Sequence, residues 1–398
     1  LSNHTITAPR GFEAGAAMAG IKQANRLDVG VIASEVPCTA AAVFTRNRFC
    51  GAPVIVGREH VRDGCLHAVV VNSGCSNVAT GRRGVADARA MCRRVAEGIG
   101  VDETDVLPSS TGVIGQFLPM DKVLKGIDRA VEALSGSARA GRSFARAIMT
   151  TDLKVKQATA RFKIGKEVVT VAGCCKGSGM IAPNMATMLA YLTTDAGVPA
   201  ARLRTFLQAA VEPTFNRVTV DECESTSDTV TIMASGLALP LDSRKAEICF
   251  AVALGEVCES LAYQIAADGE GATRVLEVSV TGAKTPADAH AAARTIAVSP
   301  LVKTAVHGGD PNWGRIVQAL GQTRVAYQPE RVVIRLDKTT LFRKGAPAPD
   351  LDRRKLSRMM LQKHVSIAVD LGAGKACDRV LTCDLSRDYI KINADYTT

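Results

Sequence analysis

An α/β fold is what this sequence predicts, and three observations predict it. Short apolar runs rich in β-branched residues alternate with stretches of helical periodicity along most of the chain. The composition, 47% hydrophobic and 22% charged over 398 residues, is that of a globular protein with a sizeable core and two or three domains. The 34 Gly and 15 Pro follow no G-X-Y period and form no polar tract, which excludes collagen-like and disordered chains.

In chain order, residues 28–34, 41–45, 53–56 and 67–72 read as strands, and residues 83–98 and 119–134 as helices. In the second helix Val123, Leu124, Ile127, Val131 and Leu134 share one face, so its charges point outward and it is scaffold. Residues 158–171 read as a hairpin turning at Gly165-Lys166, which delivers the chain into a loop of small residues at 174–184. Beyond it come a buried strand at 185–193, helices at 200–211 and 247–267 and a strand at 275–281. A helix-rich stretch at 286–320 and a β-rich end at 332–396 complete the pattern. Thr-Thr-Asp occurs at 150–152 and again at 193–195, too short a match for a duplication.

No apolar run approaches the roughly 18 residues of a spanning helix, and residues 1–20 lack the basic and apolar regions of a secretory signal. Residue 1 is Leu, so an organellar leader stays open. The net charge of +10 is dispersed among acidic residues, and 4% aromatics with a single Trp argue against nucleic-acid binding. An anionic small substrate fits that charge equally well. The 12 Cys form no C-x-x-C pair and no zinc-spaced cluster, so no metal is expected. Cys92, Cys249 and Cys258 read as core residues of a reducing compartment, which makes the cytoplasm the expected location. For the adjacent Cys174 and Cys175, packing is favoured over a reactive thiol.

The familiar catalytic motifs are absent. Residues 372–375 (Gly-Ala-Gly-Lys) have Val369 where a P-loop needs its first Gly and Ala376 where it needs Ser or Thr. The Gly-rich segments at 176–179 and 269–272 miss dinucleotide spacing, and the six His include no H-E-x-x-H. No G-x-S-x-G elbow occurs either. What remains is Thr187, opening an apolar stretch after a Gly/Pro loop. As a fragment it reads first as a β-branched strand residue. The sharper alternative is a self-cleaving nucleophile, whose hydroxyl attacks the Ala186–Thr187 peptide and leaves Thr187 as a new N-terminus. Its freed α-amine, with a reference pKa of about 7.7–8.0, could then serve as base for its own hydroxyl.

Residues 176–189, Lys-Gly-Ser-Gly-Met-Ile-Ala-Pro-Asn-Met-Ala-Thr-Met-Leu, resemble the cleavage signature of the ornithine acetyltransferase family. These are self-processing enzymes of arginine biosynthesis, also called glutamate N-acetyltransferases. Further segments agree in order: 8–22 (APRGFEAGAAMAGIK), 43–47, 70–74, 110–115, 150–152, 268–273, 303–305, 309–315 and 392–398. The resemblance covers essentially the whole chain. It implies a layered αββα-type sandwich with a second smaller α/β lobe, built from an α chain of residues 1–186 and a β chain of residues 187–398 in one intertwined unit.

The resemblance also implies roles. Thr187 would be the nucleophile, and Thr111 with Gly112 the oxyanion hole, although on its own Ser110-Thr111-Gly112 reads as a turn. Thr150, Lys176, Thr187, Glu270, Asn393 and Thr398 would contact substrate, with Thr151 a close competitor of Thr150. Lys176 suits a substrate carboxylate and Glu270 a cationic amine, whereas without the resemblance they read as a solvated Lys and a helix-end Glu. Trp313 reads as core. The implied reaction moves acetyl from N-acetylornithine to glutamate through acetyl-Thr187, without a cofactor, with acetyl-CoA a possible second donor. Two α and two β chains would form the active unit. Alternatives are a self-cleaving amidase or aminopeptidase of related fold and a catalytically silent amino-acid-binding protein. Residues 221–228 depart from the family's Asp-Gly-Asp-x-Ser-Thr-Asn-Asp, placing Glu222 where a permissive Gly is usual. Cys174-Cys175 also replace smaller or aliphatic residues.

Overall fold

A computed structural model of the chain describes residues 4–22, 25–182 and 188–395. Contacts divide it into two compact units, one running to Asn216 and again from Cys223 to Ala262, the other spanning Arg217–Glu222 and continuing from Tyr263. The chain is mixed α/β with two sheets, as its sequence predicts.

The first unit holds β1 (Phe12–Ala17), β2 (Val29–Phe44), α1 (Ala52–His60), β3 (Cys65–Cys75), α2 (Gly81–Ile99), β4 (Val106–Val113), α3 (Met120–Glu132) and α4 (Ala138–Ala147). It continues with β5 (Lys156–Ile164), β6 (Glu167–Lys176), β7 (Leu189–Thr194), α5 (Ala200–Val211) and β8 (Thr229–Ala234). Its sheet runs β4-β3-β2-β8-β7-β6-β5, with β1 paired to β2. Because side chains alternate across a strand, Val29, Val31, Ala68 and Val70 face a core closed by α2 and α3, while Ile32, Val69 and Val71 join Phe144 of α4 and Tyr191 of β7 on the other face. Both faces are therefore buried, and β2 and β3 read as nearly continuous apolar runs.

The helix α6 (Arg244–Ala267) begins in this unit. It is long and apolar enough to cross a membrane, which corrects the expectation that no run approaches that length. Its Phe250, Leu254, Val257, Cys258 and Leu261 are buried, and Val257 and Leu261 lie against Gly173 of β6, as in the core helix of a globular protein.

The second unit holds β9 (Val275–Ala283), α7 (Pro286–Val298), α8 (Pro300–Gly308), α9 (Trp313–Gly321), β10 (Val333–Leu336), β11 (Thr339–Arg343) and β12 (Ala346–Pro347). It ends with α10 (Arg353–Met360), β13 (His364–Asp370), β14 (Ala376–Cys383) and α11 (Arg387–Asp395). The sheet order is β12-β11-β10-β13-β9-β14. Leu276, Val278 and Val280 alternate inward onto Ala289, Ala293 and Ile296 of α7, giving a sheet with one buried face. Trp313 stacks on Phe342 at 5.3 Å against this core, in keeping with its reading as a packing residue.

Several local expectations are corrected. Residues 53–56 lie in α1, where Pro53 at the first turn suits a helix start and Val54 and Val56 are buried, so packing overrides their β propensity. Residues 110–112 lie in β4. The β-rich end also contains two helices, α10 and α11. Strand β8 and helix α4 carried no recognised signal. The strand expected from residue 185 begins at Leu189, and residues 185–187 lie outside the described residues.

Candidate active site

Thr111 and Gly112 sit near the end of β4, which runs parallel to β3 in the register Ser73↔Thr111 and Gly74↔Gly112. Next to this pair the ladder shifts at Cys75, and Gly112 takes φ +129°, a conformation that favours glycine. Thr111 is buried, with 4% of its surface exposed. A bulge of this kind leaves one residue of the strand end outside the regular ladder.

From Gly74 a continuous set of contacts leads to the other expected site residues of this unit. A Cβ on Gly74 would lie 3.1 Å from Lys22 Cγ. The Lys22 ammonium donates to the carbonyls of Leu27, Ala147 and Met149. Burial pushes its pKa down to about 8, Arg26 adding to the effect and Asp28 opposing it. The Asp28 carboxylate in turn shapes the turn that carries Lys22, accepting the N–H groups of Ala19, Gly20, Ile21 and Lys22 at 2.5–3.1 Å. Thr150 follows Met149, and its own N–H donates to Asp152 Oδ2 at 3.0 Å. Asp152 Oδ1 accepts the Gly177 N–H at 2.7 Å and Lys156 Nζ at 2.6 Å. Lys176, the residue before Gly177, is 6% exposed at the end of β6, so it is not a solvated surface lysine. Burial works to raise the Asp152 carboxyl; the charges of Lys156 and Lys176 and the Gly177 N–H outweigh it and hold the group below the usual carboxylate range. Thr150 and Thr151 are both half-buried, but only Thr150 has its backbone tied to Asp152.

Strands β6 and β7 pair antiparallel, Lys176 opposite Leu189, so residues 177–188 connect neighbours in one sheet. Each end of that connection is held by a buried carboxylate: Gly177 N–H on Asp152, and Met188 N–H on Asp228 Oδ1 at 2.8 Å. Met180 within it has φ +56°, an uncommon conformation for a residue with a side chain. Ala186 and Thr187 lie outside the described residues.

In the second unit Glu270 is 7% exposed and accepts a hydrogen bond from Asn393 Nδ2 of α11 at 2.9 Å. It is therefore a buried, partnered carboxylate rather than a solvated helix-end one. The loop that follows it is fixed at several points. Ser386 Oγ donates to Gly271 O at 2.6 Å. Asp384 accepts the N–H groups of Thr273 and Arg274, the Thr273 hydroxyl and His307 Nδ1, all within 2.6–2.8 Å. Burial raises Asp384, and these donors overcome it to hold the carboxyl low. Thr398 lies outside the described residues. Glu222 has a left-handed backbone, φ +62°, a conformation that favours glycine, and its carboxylate pairs with Arg294 at 2.8 Å.

Cys174 and Cys175 are buried, and burial drives the Cys174 thiol well up, which fits packing. Among the described residues no three His, Cys, Asp or Glu are grouped to hold a metal. Sequence reasoning missed Asp152, Lys22, Asp28 and Asp228 as site residues. Asp152 and Lys22 stand inside segments that carried the resemblance, which was signal enough to inspect them; Asp28 had none.

Comparison with known proteins gives consistent results. The profile of the ArgJ family matches residues 13–398. The arginine biosynthesis bifunctional protein ArgJ of Dehalococcoides mccartyi is 44% identical, covering 100% of this chain and 98% of that protein. Its counterpart from Symbiobacterium thermophilum is 46% identical over 99% of this chain and 98% of its own length. Among solved structures, an ornithine acetyltransferase of Mycobacterium tuberculosis complexed with ornithine is 38% identical with TM-score 0.42, covering 47% of this chain and 97% of that one.

Proposed function

The chain belongs to the ArgJ family, and from that premise we propose that it is a self-processing glutamate N-acetyltransferase of arginine biosynthesis, transferring acetyl from N2-acetyl-L-ornithine to L-glutamate. The observation that carries the reading is the placement of the signature. Residues 177–188 join two paired strands and are anchored at both ends by buried carboxylates, beside a buried Lys176.

In this reading the Thr187 hydroxyl attacks the Ala186 carbonyl, the peptide nitrogen leaves as an amine, and water splits the resulting ester. The new α-amine takes the hydroxyl proton when Thr187 attacks the acetyl carbonyl of acetylornithine. The oxyanion is received at Thr111 and Gly112, ornithine leaves with its amine protonated, and the amine of glutamate collects the acetyl group. Thr150, Lys176, Glu270, Asn393 and Thr398 contact substrate, Lys176 through a carboxylate and Glu270 through an amine. The cycle needs no cofactor; acetyl-CoA serves as a second donor. The active unit is two α and two β chains in the cytoplasm.

Intact mass under denaturing conditions tests this. Wild type should give two pieces meeting at Ala186 and Thr187, and Thr187→Ala one uncut chain. An uncut wild type would overturn the mechanism. Acetate released without glutamate would favour an amidase.

A further inference from the structure

We propose that Asp152 is the positioning residue that couples Thr150 to Lys176, one carboxylate setting the backbone of two segments that meet substrate. The inference rests on the functional reading above. Asp152 has no solvent-exposed side-chain surface, and its two oxygens divide their partners. Oδ2 accepts the Thr150 N–H at 3.0 Å, and Oδ1 accepts the Gly177 N–H at 2.7 Å. Thr150 belongs to the stretch after α4, whereas Gly177 opens the connection after β6, so the carboxylate joins segments 25 residues apart at its Gly177 bond. A buried charge needs compensation, and Lys156 Nζ, itself 1% exposed, supplies it at 2.6 Å.

The arrangement separates two duties. Lys156 neutralises Asp152 and also donates to the carbonyl of Lys154. The N–H bonds to Thr150 and Gly177 belong to Asp152 alone. A misplacement of about 1 Å in a substrate-positioning group can cost on the order of 100-fold. The Thr150 backbone is held from the other side by Lys22 on Met149 O, so loss of Asp152 frees one side of the segment while that bond remains.

The test compares wild type with Asp152→Asn/Lys156→Met, because removing a buried pair together avoids leaving an uncompensated charge, and with Asp152→Glu. Thermal melting, the cleaved fraction by mass, and kcat and KM for acetylornithine are read for each. Asp152→Glu should remain cleaved, with the charge for Lys156 kept and KM raised. The double variant, where it folds, should raise KM by about tenfold or more, with a smaller change in kcat. A wild-type KM in the folded double variant overturns the proposal. If the double variant does not fold, Asp152→Glu decides: it keeps the charge for Lys156 but displaces the oxygens, and a wild-type KM in it overturns the proposal. A wild type that transfers no acetyl overturns the functional reading itself, whereas an active wild type with unchanged variants overturns only the role of Asp152.

Discussion

Gly74 and Gly112 face each other across the parallel β3/β4 ladder so closely that a Cβ on Gly112 would lie 2.3 Å from the Gly74 carbonyl carbon. With φ at +129°, position 112 excludes side chains on both steric and conformational grounds. Gly112→Ala should lose activity and cost at least about 1–3 kcal/mol from the backbone conformation alone. Denaturant titration beside acetyl-transfer kinetics checks this; a fully stable, active variant would show that the ladder opens freely.

Self-cleavage should not release the two pieces. Strands β7 and β8 lie between β2 and β6 in one sheet, so the later piece is hydrogen-bonded on both sides to the earlier one. Size exclusion of the cleaved protein should give one species without denaturant and two only with it.

Thiol reagents should separate the cysteines by burial. Cys223 and Cys377 are exposed, whereas Cys92, Cys174 and Cys258 are buried with thiols driven upward by burial. Peptide mapping after brief alkylation should find label on the first two and none on the last three until the protein unfolds.

Lys22 gives a pH dependence of definite sign. Its folded pKa, about 8, lies below the ordinary 10.5, so between those values the unfolded chain holds a proton that the folded chain has lost. Stability attributable to Lys22 therefore rises with pH across that window and is flat below about 8. The melting temperature of wild type relative to Lys22→Met should climb from pH 8 to pH 10; a constant difference would place the ammonium in water-like surroundings.

How much of this was legible in the sequence depends on range. Hairpin β5–β6, helices α2, α3 and α5 and the opening of β9 follow from local periodicity and turn residues, because their signal lies within a few residues of chain. Residues 53–56 misled for the complementary reason: Val54, Ile55 and Val56 favour a strand locally, while burial of one face and a proline start make the helix.

By itself the sequence determined the α/β class, the signature at 176–189 and Thr187 as the residue to test, since chemistry and spacing are properties of the chain. Only the tertiary structure decided that Thr111 and Gly112 end a parallel strand, that β7 and β8 enter the sheet beside β2, and that Asp152 ties Thr150 to Gly177. Each of those is a contact between distant segments, held by hydrogen bonds and burial that no local pattern encodes.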